Sequence, residues 1–89
     1  MRSKIVAGNW KMNLSQSEAK ELCKEVNNLN IGSEIEVYVF PPMLYVSDCK
    51  AISSNIKVGA QNAYPKDTGA FTGEVSMWQL REAGIEAVL

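Results

Sequence analysis

Eighty-nine residues, 46% of them hydrophobic and 21% charged, suit one soluble globular core. Nine basic side chains against ten acidic ones leave a formal net charge of -1, which supplies no positive field for nucleic acid or an anionic membrane. The apolar runs are only a few residues long against the ~20 that span a bilayer, and the lack of any histidine removes the commonest general base and metal ligand along with Ser-His and Cys-His nucleophiles.

Met1-Arg2-Ser3-Lys4 opens the chain without an apolar stretch of signal-peptide length, so a cytoplasmic location is expected. Ile5-Val6-Ala7 reads as a strand. An amphipathic helix follows, in which Ala19, Leu22, Cys23, Val26 and Leu29 recur at three- and four-residue steps and form one stripe. Ser15-Gln16-Ser17-Glu18 starts it as a capping box, and Gly32 is placed to end the segment with a positive φ. A second strand runs from Ile35 to Phe40. Pro41-Pro42 stops it and permits a helix start, with Leu44, Val46, Cys49 and Ile52 as the expected buried positions. Ile56 to Ala60 reads as a third strand. From Gln61 to Glu74 the chain then runs through Tyr64, Pro65, Asp67-Thr68-Gly69, Phe71 and Gly73 before any helix begins, and a connection of that length tends to be functional. A third helix is expected over about Met77 to Ala83, with Ser76 and Gln79 as a second capping box and Gly84 as terminator, and a last strand opens at Glu86 to Leu89.

The order βαβαβαβ favours parallel strands joined by right-handed crossovers. Its final strand finishes mid-run, with no turn signal before Leu89. Either this is a small complete α/β domain with a C-terminal edge strand, or it is a piece of a larger fold. Parallel strands are normally covered on both faces and paired at their edges, which favours the second.

The first strand leads straight into Gly8-Asn9-Trp10-Lys11-Met12-Asn13. Strand alternation would point Asn9 and Lys11 the same way and Trp10 the other. An amide and an ammonium at the carboxyl end of a parallel strand sit where α/β folds place their ligands. Lys11 offers a charge for an anionic group and Asn9 a directional donor for an oxygen; the plainer alternative is a solvated lysine beside a turn asparagine. Gly69-Ala70-Phe71-Thr72-Gly73-Glu74 is not a phosphate-binding P-loop, because no Lys and Ser/Thr follow its second glycine. Phe71 on this loop either meets a partner surface or tucks back onto its own domain. Cys23 and Cys49 have neither metal-ligand nor CxxC spacing, so free thiols in a reducing compartment are expected, with a structural disulfide as the lesser alternative, and the carboxylates show no pairing suited to acid-base work.

Ala7-Gly8-Asn9-Trp10-Lys11-Met12-Asn13 closely resembles the first-strand signature of the triosephosphate isomerase family, A/G-G-N-W-K-x-N. Phe40-Pro41-Pro42 resembles that family's second-strand exit and Gly59-Ala60-Gln61-Asn62 its third. Gly69 to Glu74 is similar to its protruding third loop, and Ala83-Gly84 to the approach to its fourth strand. The resemblance implies a (β/α)8 TIM barrel of roughly 250 residues, of which residues 1–89 would be the amino-terminal part of a single domain: three βα units and the start of a fourth strand. It further implies a cofactor-free and metal-free isomerase of glycolysis and gluconeogenesis, acting on a small phosphorylated triose. Asn9 and Lys11 would contact substrate, with Lys11 catalytic through its charge. Met12, Phe71, Thr72, Gly73 and Glu74 would lie at a homodimer interface, where Thr72 reaches the neighbour's Asn-Lys site. The family's histidine electrophile and glutamate base come from later strands, so the isolated chain is expected to be inactive. The competing expectation is a non-catalytic α/β interaction module that associates through exposed sheet edges.

Overall fold

In the computed structural model, which describes residues 3–89, the β-branched runs pair as parallel strands. Strands β1 (Lys4–Asn9), β2 (Ile35–Phe40) and β3 (Lys57–Val58) lie side by side in the order β1-β2-β3. Helices α1 (Gln16–Asn27), α2 (Val46–Ile52) and α3 (Met77–Glu82) follow successive strands, as the α/β expectation requires. Met1 and Arg2, which open the expected leaderless start, lie outside the described residues. Among the described residues no helix is long and apolar enough to cross a membrane.

β1 and β2 pair from Lys4 opposite Ile35 to Asn9 opposite Phe40, so their carboxyl ends finish level. β3 is shorter than the expected Ile56 to Ala60, and the last expected strand is reduced to a bridge between Ala60 and Val88. Pairing sustains a strand, and beyond Val58 the chain meets only Ala87 to Leu89 on its far side. Gly59 is required at this crossing: a Cβ there would lie 2.4 Å from the Phe40 ring and 2.8 Å from the Ala87 carbonyl.

The starts of α1 and α3 follow the sequence, while the start of α2 and two of the burial expectations do not. Ser15 and Ser76 both form complete capping boxes, with Glu18 and Gln79. Ala19 and Cys23 are buried and Leu22 and Val26 half-buried, but Leu29 is exposed because α1 ends at Asn27 with Asn28 as its cap. Gly32 does not take the positive φ assigned to it. Asn27 is buried instead, accepting the Ser54 and Asn55 N–H groups on Oδ1 at 3.0 and 2.8 Å and so tying the end of α1 to the approach to β3. Leu44 is 80% exposed, since the chain makes a 3-10 turn over Met43–Tyr45 and the α-helical period begins only at Val46. Gly84 does terminate α3, with φ +82.

One apolar cluster fills the space between sheet and helices: Cys23, Val39, Val46, Cys49, Ile56, Val58, Ala60, Leu80 and Ile85. The strands' other face carries Glu36, Tyr38 and Lys57 by alternation. There Lys57 Nζ donates to Glu36 Oε1 at 2.7 Å and lies 5.4 Å over the Tyr38 ring, and the hydrogen bond to Glu36 holds the Lys57 amine above its usual pKa.

Candidate functional site

β1 ends at Asn9, and the backbone turns at once. Trp10 N–H still bonds the Phe40 carbonyl at 3.2 Å, continuing the ladder one step, while its indole packs against the apolar cluster. Asn9 Oδ1 then accepts the Lys11 N–H at 3.0 Å, a side-chain-to-backbone turn of the kind asparagine forms readily. Lys11 has φ +55 and Leu14 φ +80, both in the left-handed region that non-glycine residues seldom enter. Asn13 Nδ2 donates to the Trp10 carbonyl at 3.0 Å and braces the same bend. Asn9 and Lys11 therefore share a site through a turn, where the sequence predicted a pleat.

The two residues line an open concavity of about 470 Å³ together with Met12, Gln61, Asn62 and Leu89. With Asn9 Oδ1 occupied by the Lys11 N–H, its Nδ2 amide hydrogens are the groups left to donate. The Lys11 side chain is exposed and forms no ion pair among the described residues. A cation and a fixed amide donor at the carboxyl end of parallel strands suit an oxygen-rich anion.

The sequence places Gln61 and Asn62 at a strand exit, with Gln61 opening the long connection, and gives neither a part in the site. Gln61 Nε2 donates to the Lys11 carbonyl at 2.8 Å and to the Phe40 carbonyl at 2.9 Å. The signal for both residues was available: two polar side chains in a row at the carboxyl end of the third strand.

The long loop stands apart from this concavity. Its base is closed by Tyr64 N–H to the Val75 carbonyl at 2.8 Å and Met77 N–H to the Tyr64 carbonyl at 3.3 Å. Phe71 tucks onto its own loop, its ring centroid 4.5 Å from that of Tyr64, yet it stays 39% exposed. Gly69, with φ +145, lets the ring approach, because a Cβ there would come within 2.6 Å of it. Glu74 N–H bonds the Phe71 carbonyl at 3.0 Å across a tight turn with Gly73 at φ +88, and Thr72, Gly73 and Glu74 are all exposed on it. Asn9, Lys11 and Met12 thus come together, while Phe71, Thr72, Gly73 and Glu74 form a separate projection.

The family model for triosephosphate isomerase matches residues 4–89. The triosephosphate isomerase of Leptospira biflexa is 48% identical over the whole of this chain and 36% of its own length. That of Coprinopsis cinerea is 47% identical over 99% of this chain and 36% of its own. That of Alkaliphilus metalliredigens is 40% identical over all of this chain and 37% of its own. The chain spans a little over a third of the length of these relatives.

Proposed function

The chain belongs to the triosephosphate isomerase family, and from that membership we propose that it carries the anion-binding part of a site that interconverts dihydroxyacetone phosphate and D-glyceraldehyde 3-phosphate. The reaction moves a proton between adjacent carbons through an enediolate. The observation that carries the proposal is the turn in which Asn9 Oδ1 accepts the Lys11 N–H, directed into a concavity at the carboxyl ends of parallel strands. Lys11 neutralises the substrate's phosphate and the charge growing on the enediolate, and Asn9 Nδ2 donates to a substrate oxygen. The chain contains no histidine, so an imidazole electrophile must come from elsewhere in a complete enzyme.

On this proposal the three strand-helix units and the Ala60–Val88 bridge are the first three units and the beginning of a fourth strand in an eightfold barrel. The projection carrying Phe71, Thr72, Gly73 and Glu74 docks on a second subunit, with Met12, which is 94% exposed, in the same homodimer surface. The enzyme works in the cytoplasm, on a free small phosphorylated triose. A non-catalytic module that associates through its sheet edge is the alternative, and the exposed Ile5 and Val6 on β1 are the observation in its favour.

The test is a chimera in which residues 1–89 replace the matching stretch of the Leptospira biflexa enzyme. Lys11→Met should cut its kcat/KM by at least a hundredfold, on the order of 3 kcal/mol, while leaving its thermal transition in place. A variant with near-parental efficiency would show that Lys11 is merely solvated and would leave the edge-associating module standing.

A further inference from the structure

We infer that Gln61 is a positioning residue for Lys11, a role that rests on assigning the Asn9–Lys11 concavity to the triose phosphate. Its carboxamide reaches two main-chain carbonyls at once, those of Lys11 at 2.8 Å and Phe40 at 2.9 Å. Both partners only accept, so chemistry alone orients the amide with its NH2 group toward them. One carbonyl belongs to the turn after β1 and the other to the last residue of β2. A single side chain just past β3 therefore links the carboxyl ends of all three strands.

That link falls on a residue with a positive φ. Lys11, at φ +55, holds a conformation that persists in a non-glycine residue only when its surroundings enforce it. Two contacts enforce it here: Asn9 Oδ1 accepts the Lys11 N–H, and Gln61 Nε2 donates to the Lys11 carbonyl. With both main-chain groups held, the Cα–Cβ direction of Lys11 is set and its flexible stem starts toward the concavity. A lysine carries many rotamers, so fixing the root of the side chain removes part of the ordering that substrate binding would otherwise have to impose.

The experiment uses the same chimera, with Gln61→Met and Gln61→Leu made in the parental and Lys11→Met backgrounds. In the parental background each should raise KM and the inhibition constant of inorganic phosphate together, by about tenfold, the size of one ordinary hydrogen bond. In the Lys11→Met background the same changes should alter kcat/KM less than about twofold, because the residue they act through is gone. A purely structural role would reduce the folded fraction, lowering apparent kcat at constant KM and adding in full to Lys11→Met; that result, or disagreement between the two Gln61 variants, would overturn the inference. Unchanged kinetics in Lys11→Met alone would instead sink the site assignment beneath it.

Discussion

Cys49 has no surroundings in which a thiolate could be solvated. Its side chain is fully buried; burial first, and then the neighbouring Cys23, pushes its thiol up from 9.0 to about 12. Cys23 Sγ lies 3.5 Å from the Cys49 carbonyl and 3.2 Å from Ser53 Oγ, and both cysteines are free. The folded state therefore holds the Cys49 proton more tightly than the unfolded chain does. Its contribution to stability is fully present below the unfolded value near 9 and is lost as pH rises from there toward 12. Lys57, raised from 10.5, follows the same sign but over a higher range, so the interval just above pH 9 reports mainly on the thiol. Urea midpoints should fall between pH 9 and 10 in the parental chain and less steeply in Cys49→Ala. Equal slopes would place the alkaline loss elsewhere. Gln61 is the opposite case: local pattern puts a polar residue just past the third strand, but its two acceptors lie 50 and 21 positions away in sequence, where no local pattern reaches.

The starts of α1 and α3 were legible because a capping box is complete within four residues. In α1, Glu18 N–H donates to Ser15 Oγ at 3.3 Å and Ser15 N–H to Glu18 Oε1 at 2.9 Å; in α3 the corresponding distances from Gln79 and Ser76 are 2.9 and 3.0 Å. The Ser15 backbone hydrogen bond also holds the Glu18 carboxyl below its usual pKa, so this cap is complete above the unfolded value and weakens as pH falls through the lowered one. Ser76 is 4% exposed and sits at the loop base opposite Tyr64, whereas Ser15 is exposed. Ser76→Ala should therefore destabilise the fold by about 1–2 kcal/mol and exceed the loss in Ser15→Ala. Urea unfolding checks this, and a smaller loss at Ser76 would contradict the placement of α3 against the loop. The ends of elements were harder to read. Leu29 is exposed because α1 ends at Asn27 with Asn28 as its cap, where Asn27 also bonds Ser54 and Asn55, rather than running on to Gly32. Leu44 is exposed because a 3-10 turn precedes α2, and β3 is short because strand length depends on what pairs with it. The first two strands, their parallel pairing and the closeness of the Asn9–Lys11 pair were readable from local pattern. The turn that joins that pair was not, since a pleat and a bend put the same two residue types at the same spacing.

At the scale of the molecule, the chain is a slab of 44 × 34 × 19 Å with a radius of gyration of 13.5 Å, somewhat above the roughly 12 Å of a compact domain of this length. Helices cover one face of the sheet. β1 leaves an open edge on which Ile5 is 61% and Val6 56% exposed, in a class of sheet that is ordinarily enclosed. Under the proposed function, that edge is where the remaining strands of a barrel would pair and supply the rest of the interior and of the site. The proposed function accordingly divides the labour: this chain would hold the phosphate and the developing charge, and other strands would move the proton. The most direct measurement is deuterium exchange into dihydroxyacetone phosphate in D2O, followed by proton NMR, for the purified 89-residue chain and for the chimera. The account predicts exchange at the buffer rate with the isolated chain and rapid exchange with the chimera. Exchange above buffer by the 89-residue chain alone would contradict it.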